Sequence, residues 1–230
     1  MNFGSAMLIA GAVTAVVAAP AGAQAPAGQA SYAVTYLEVT PAAKAQAINL
    51  IKEVAAASRK EPGNLRYEVL QRVDRDNQFA ILEAWRDLKA LEAHGGGVAM
   101  TQFRDKLKPL RAGSYDERPS VSIFVAPVAA APAKGSTYVL THVDVAPASK
   151  DATIELLTKL AEASRKEPGS ERFEAWQQNN RTNHFTMVET WKNREAADGH
   201  AITASTKEFR EKLGPMSGAL YDDRFYTSIE

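Results

Sequence analysis

The sequence predicts an α+β protein made of two tandem copies of one small domain. Three observations predict it. The hexapeptide SRKEPG stands at residues 58–63 and again at 164–169. Shifting the chain by that same interval, 58 onto 164, aligns the two halves without a gap, and about two in five aligned positions are identical, far beyond chance over such a span. Within each half, short β-rich runs alternate with amphipathic stretches. A period this long is a copied domain rather than a solenoid repeat.

Each element follows from local chemistry. AVTYLEV alternates, with Thr35, Leu37 and Val39 on one face and Val34, Tyr36 and Glu38 on the other, so it reads as the first strand. Pro41 ends it and opens a helix, where Ile48, Ile51, Val54, Ala55 and Ser58 recur at helical spacing. The hexapeptide closes that helix. Arg59 and Lys60 suit the negative end of the dipole, Pro62 blocks continuation, and Gly63 permits a turn with positive φ. RYEVLQR and NQFAILEAW are the next two strands, joined by the turn DRDN. Asp87 is placed to cap a helical region that breaks at Gly95–Gly97 and resumes to Leu107, and a last strand follows Tyr115.

The order is strand, helix, strand, strand, helix, strand. It is the split-βαβ, ferredoxin-like order: an antiparallel sheet with helices on one face. The other face stays bare in a single copy, and the second copy is at hand to cover it as an internal pseudo-dimer. The domains are expected at 32–123 and 138–230, joined by an Ala/Pro linker at 124–137.

Composition narrows the functions. Lys plus Arg number 27 and so do Asp plus Glu, which gives no electrostatic reason to expect nucleic acid. Without cysteine, disulfides, thiolate metal sites and cysteine nucleophiles are excluded. His94 and His200 have no companions at metal-ligand spacing, so no metal is expected. HGGGVAM follows no strand and does not fit a phosphate-binding glycine loop, so nicotinamide and flavin lack support.

The candidate site residues come from the third strand and its surroundings. Alternation puts Phe79, Ile81, Glu83 and Trp85 on one face, and Glu189 lies likewise between Met187 and Trp191. A carboxylate among apolar neighbours is either a base of raised pKa or a structural partner of Arg66 or Arg118. Trp85 and Trp191 suit stacking on a flat aromatic, or plain core. His94 and His200 sit on the inward helical face of both copies, as pocket bases or as satisfied core residues. Tyr115 with Arg118, and Tyr221 with Arg224, offer a phenol and a cation for a substrate oxyanion, or for a domain contact.

LEAWRDLKALEAH and EPGNLRYEV, with VETWKNREAADGH and EPGSERFEA in the second copy, resemble the antibiotic biosynthesis monooxygenase family, which includes small quinol monooxygenases. The shared pattern is a strand with E-x-W, an acidic, Leu-rich helical turn, and a His nine residues after the Trp. The resemblance implies an intramolecular dimeric α+β barrel. It implies an oxygenase without metal or cofactor that acts on a quinol or other phenolic aromatic with dioxygen. Haem-degrading proteins of the same superfamily use an Asn on the first strand, where this chain has Tyr36 and Glu38, or His142 and Asp144. The competing class is a non-catalytic periplasmic binding module for quinones or small aromatics; a ligand-free structural pseudo-dimer is the third reading.

The N-terminal run AMLIAGAVTAVVAAP is too short to span a bilayer and leads to Ala21-Gly22-Ala23, an A-x-A cleavage site. Residues 1–23 read as a signal peptide and 24–31 as a flexible leader, so an exported, periplasmic or secreted protein is expected. The competing readings are an uncleaved anchor or a misplaced start. The mature protein is therefore predicted to begin at Gln24, which the intact mass of the exported protein checks; a mass retaining residues 1–23 points to an anchor.

Overall fold

The structure, a computed structural model, describes Met1, residues 30–124 and residues 133–230; the expected signal peptide, most of the leader and most of the linker lie outside the described residues. The first copy contains β1 (Ser31–Glu38), α1 (Lys44–Ser58), β2 (Asn64–Arg72), β3 (Gln78–Trp85), α2 (Leu88–Gly96), α3 (Val98–Leu107) and β4 (Asp116–Phe124). The second repeats the order as β5 (Thr137–Asp144), α4 (Lys150–Ser164), β6 (Ser170–Gln178), β7 (His184–Trp191), α5 (Arg194–Ala201), α6 (Ala204–Leu213) and β8 (Asp223–Ser228).

The eight strands close into one barrel in the order β1-β3-β2-β8-β5-β7-β6-β4. Each copy supplies four neighbouring strands. The copies join at two antiparallel seams, β2 with β8 and β4 with β6. The expected covering of one sheet by the other is therefore completed by edge pairing, which leaves no open sheet edge.

Period-two alternation sorts each strand between two cores. Thr35, Leu37, Val69, Phe79, Ile81 and Trp85 face outward toward α1, α2 and α3, where all but Thr35 join the first copy's apolar cluster. Tyr32, Val34, Leu70, Ala80 and Leu82 face the barrel interior and meet Tyr138, Leu140, Trp176, Val188 and Tyr226 of the second copy. The repeated hexapeptide links these layers. The helix α1 ends at Ser58, so Arg59 lies at its C-cap, and its guanidinium donates to the Tyr67 carbonyl at 2.9 Å rather than merely lying along the dipole. Gly63 has φ +91°, and a Cβ there would lie 2.8 Å from the Ala90 Cβ; Gly169 repeats both features, with φ +82° and 2.7 Å to Ala196. Only glycine combines that dihedral with that approach. Asp87 caps α2 by accepting from Ala90 N at 2.8 Å. The expected helix break narrows to Gly97, because Gly95 and Gly96 remain in α2.

Inside the barrel the two copies exchange ion pairs. Arg66 donates to both oxygens of Glu174, at 2.9 and 2.7 Å, and Arg172 donates to Glu68 at 2.8 Å. Trp176 Nε1 adds a bond to Glu174 at 3.1 Å, and the Tyr138 hydroxyl adds one to Glu68 at 3.2 Å. The Arg66 side chain is 11% exposed and that of Glu174 0%. Removing one partner from such a pair strands a buried charge. Glu174→Ala is predicted to lower unfolding free energy by about 3–5 kcal/mol, and Arg66→Met with Glu174→Leu to recover most of that loss, as read by urea denaturation. A Glu174→Ala protein as stable as wild type removes this pair from the forces that hold the copies in register.

Candidate functional site

The hexapeptide turn is docked beside the start of α2. The Arg86 amide donates to the Gly63 carbonyl at 2.7 Å, and in the second copy the Lys192 amide donates to Gly169 at 2.8 Å. This docking carries Glu61 to His94. His94 Nδ1 lies 3.0 and 3.1 Å from the two Glu61 oxygens. On its other side, His94 Nε2 stands 3.4 Å from Glu83 Oε2 without forming a hydrogen bond. Trp85 Nε1 donates to that same Glu83 oxygen at 2.8 Å, and the indole stacks on the imidazole with centroids 4.4 Å apart. The second copy repeats the set. His200 Nδ1 is 3.0 Å from Glu167, Trp191 donates to Glu189 at 2.8 Å, and the rings stack at 4.7 Å.

Thus His94, Glu83 and Trp85 converge, as do His200, Glu189 and Trp191. Glu83 is paired with neither Arg66 nor Arg118, so the expected structural arginine partner is corrected. The Trp faces toward α2 and α5 are occupied by the His94 and His200 imidazoles. Tyr115 packs against the same outer core, and Tyr221 against its counterpart. Arg118 and Arg224 do not join them. In the register between β1 and β4, Arg118 pairs with Val34 and Glu117 with Thr35, so Arg118 shares the face that lines the barrel. There it bonds Asp116 at 2.6 Å and lies over Tyr36, 5.0 Å from the ring; Arg224 approaches the same ring at 5.9 Å. The pairing of Tyr115 with Arg118 as one oxyanion site is therefore corrected: the two side chains belong to opposite faces of the sheet.

Electrostatics set the protonation states. Burial raises the Glu83 carboxyl to about 8, against the lowering effect of the Trp85 bond; Glu117 and Glu61 raise it further. Glu189 is raised to about 8, again chiefly by burial. Burial lowers both His94 and His200, against the opposing pull of Glu61 and Glu167. At neutral pH each site therefore holds a neutral acid beside a neutral base. With Nδ1–H donating to a carboxylate, the imidazole lone pair is at Nε2.

Sequence reasoning missed four contributors. Glu61 and Glu167 went unremarked because a helix stop accounts for the whole hexapeptide; the identity of all six residues in both copies was the available signal. Tyr67 lies edge-on to His94 at 5.7 Å, and Thr35 comes from the neighbouring strand. The Tyr67 hydroxyl, Tyr115 hydroxyl, Thr35 Oγ1 and His94 Nε2 are all buried without hydrogen-bond partners. Each such atom costs about 1–3 kcal/mol, so four in one place is an expensive arrangement for a plain core. At the second copy a cavity of about 10 Å³, lined by Glu189, His200, Arg210, Tyr221 and Asp223 among others, has room for a single water. Among the described residues no group of His, Asp and Glu is arranged to hold a metal ion.

The chain is similar to known proteins throughout both copies. The family model for "Antibiotic biosynthesis monooxygenase" matches residues 31–106 and 136–212. A relative named "Putative monooxygenase YcnE", from Bacillus subtilis (strain 168), is 28% identical over 81 residues, which cover 35% of this chain and 85% of that protein. The solved structure of a "Putative monooxygenase" from Fusobacterium nucleatum superposes with TM-score 0.77 at 15% identity, covering 88% of this chain and 93% of the other. That of an anthrone oxidase-like protein superposes with TM-score 0.71 at 14% identity, covering 90% and 94%. These two likenesses are of fold. With the family model matched in each half, the chain belongs to the antibiotic biosynthesis monooxygenase family as a tandem, two-domain member.

Proposed function

We propose that the protein is an exported, cofactor-independent monooxygenase that oxidises a quinol or comparable phenolic aromatic with dioxygen. One observation carries this reading: a neutral imidazole anchored at Nδ1 by Glu61, with Nε2 unbonded in a dry wall beside Glu83 and Trp85. This is the arrangement that proton abstraction from a weak acid requires. The family membership agrees with it, and the A-x-A site at residues 21–23 supports export.

The chemistry is as follows. The substrate hydroxyl gives its proton to His94 Nε2, and Glu61 stabilises the imidazolium. The phenolate gives one electron to dioxygen; the resulting superoxide and substrate radical join through a new carbon–oxygen bond. His94 returns its proton to the peroxide; it then takes the proton from the oxygenated ring carbon as the O–O bond breaks, and the distal oxygen leaves as water with a proton from the neutral Glu83, which the imidazolium restores. For a hydroquinone the sum is quinol plus O2 giving hydroxyquinone plus water. The protein excludes water, holds the ring and manages two protons. The alternative is a binding module for quinones or small aromatics that does not turn them over. Oxygen uptake by purified protein over a panel of quinols and anthrones separates the two readings.

Two outcomes are expected. His94→Ala combined with His200→Ala lowers quinol-dependent oxygen uptake by at least about a hundredfold with the fold retained in circular dichroism, because a lost general base removes 10²–10⁴ in rate. A structural histidine instead lowers thermal stability and leaves the rate of the folded fraction unchanged. The second outcome concerns pH. The base must be neutral, and burial lowers its pKa, so the acid limb of kcat/KM falls below the ordinary histidine value. Glu83 loses its proton as pH rises through about 8 and then places an anion beside the phenolate. Activity is expected to fall above about 8, and Glu83→Gln with Glu189→Gln to abolish that alkaline limb. An alkaline limb that survives the substitutions assigns the titration to another group.

A further inference from the structure

The two copies share a fold, but they do not present the same polar surface at their sites. In the first copy, Thr35 Oγ1, the Tyr67 hydroxyl, the Tyr115 hydroxyl and His94 Nε2 are buried without a well-formed hydrogen bond, although the Thr35 hydroxyl is near enough to Tyr115 to lower that phenol's pKa against burial. Thr35 is 0% exposed, His94 2% and Tyr67 3%. The Tyr67 ring is edge-on to His94 with centroids 5.7 Å apart, and Thr35 stands beside Tyr115. After burial, the fields of Glu83 and Tyr115 push the Tyr67 phenol well above its usual range, and Tyr115 is raised by burial, then by Glu117 and Glu83. The Ser58 hydroxyl near Tyr67 already donates to the Val54 carbonyl at 2.7 Å.

At the equivalent positions of the second copy the polar atom is deleted or has a partner, while Glu167 Oε1 and Arg210 Nε of that site have none. Phe173 replaces Tyr67 and carries no hydroxyl. Thr141, in the place of Thr35, donates to Asp223 at 2.6 Å. His200 Nε2 has the Thr206 hydroxyl at 3.3 Å, where the first copy has Met100. The Arg210 guanidinium lies over the Tyr221 ring, 5.0 Å from its centre, and a hydrogen bond from it lowers the phenol's pKa against burial. A second difference is independent of these. The residue after His94 begins the run Gly95-Gly96-Gly97, whereas His200 is followed by Ala201-Ile202-Thr203. A Cβ on Gly95 or Gly96 would meet nothing within 4 Å, so packing does not require glycine there. Two glycines in the last turn of α2 loosen the corner that covers His94.

We infer that ligand binding is confined to the first copy, where Tyr67, Tyr115 and Thr35 donate to the oxygens of a planar aromatic and His94 Nε2 accepts from its hydroxyl. The second copy completes the barrel and binds no ligand. Hydroxyl donors paired with a single acceptor suit a ring that bears both an oxygen acceptor and an acidic hydroxyl, as a quinol does; this part rests on the functional reading above. The corner at Gly95–Gly97 is the segment that yields on entry.

The test uses the full chain and 1,4-naphthohydroquinone under argon, so that binding is measured apart from oxidation. Calorimetry is expected to give one equivalent bound per chain. Ring resonances of His94, assigned by NMR, shift on titration and those of His200 do not. Tyr67→Phe with Tyr115→Phe weakens binding at least about tenfold, since two hydrogen bonds are lost. The same variant melts at or above the wild-type temperature, because the hydroxyls removed have no partner in the free protein. Two equivalents bound, a response at His200, no binding at millimolar probe, wild-type affinity in the double variant, or a lowered melting temperature overturns the assignment. One-to-one binding at His94 without oxygen uptake in air sustains it and removes the oxygenase reading instead.

Discussion

The reciprocal exchange of arginine and glutamate inside the barrel is the constraint on which the rest of the structure depends. Arg66 of the first copy holds Glu174 of the second, and Arg172 of the second holds Glu68 of the first. The arrangement is isologous: each copy offers the same pair and receives the same pair. Such ion pairs contribute little net stability against an apolar replacement, yet they are intolerant of misalignment, because a one-residue slip at β2 or β6 strands buried charges. They also limit where a ligand could be held. The barrel interior is filled with Tyr32, Trp176, Leu140 and their neighbours around these ion pairs. The candidate site lies on the outer face, between the sheet and its helices.

Glutamates buried to the same degree take opposite protonation states on the two faces. Burial alone would raise Glu174, but Arg66 at hydrogen-bond distance, supported by Arg172 and Trp176, lowers it below its ordinary value. Glu83 and Glu189 receive only an indole N–H, and burial raises both to about 8. The deciding quantity is a full positive charge in contact, which exceeds the desolvation penalty where one neutral donor does not. One residue type thus supplies a permanent anion for assembly and a neutral acid for the site.

Most of this organisation was legible in the sequence. The repeat gave the copy number, alternation put Glu83 and Trp85 on one face, and helical spacing turned His94 toward them. What stayed hidden follows from range and parity. Glu61 and His94 lie 33 positions apart and meet only because the Gly63 turn docks on the start of α2. Arg66 and Glu174 lie 108 apart in different copies, so no local pattern pairs them. Arg118 is a different case: it sits an odd number of residues from Tyr115, and strand alternation already separates them. That separation was available, and only the weight given to a nearby cation obscured it.

Duplication changes what each copy must retain. A homodimer carries every substitution twice, so its two sites stay alike. A fused tandem chain needs both copies to close the barrel, but nothing in the closure requires both sites. The retained and altered positions divide along that line. His200, Glu167, Glu189 and Trp191 form a stacked, hydrogen-bonded unit that fills the wall of the second copy, and removing any of them would open a hole or unpair a buried group. The hydroxyl of Tyr67 fills no such need: its counterpart Phe173 packs fully buried without it. A polar atom that costs stability and serves no packing role persists where something outside the fold rewards it. Among the described residues four such atoms, on Thr35, Tyr67, Tyr115 and His94, belong to the first copy's site; others lie elsewhere, Glu167 Oε1 and Arg210 Nε of the second copy's site among them.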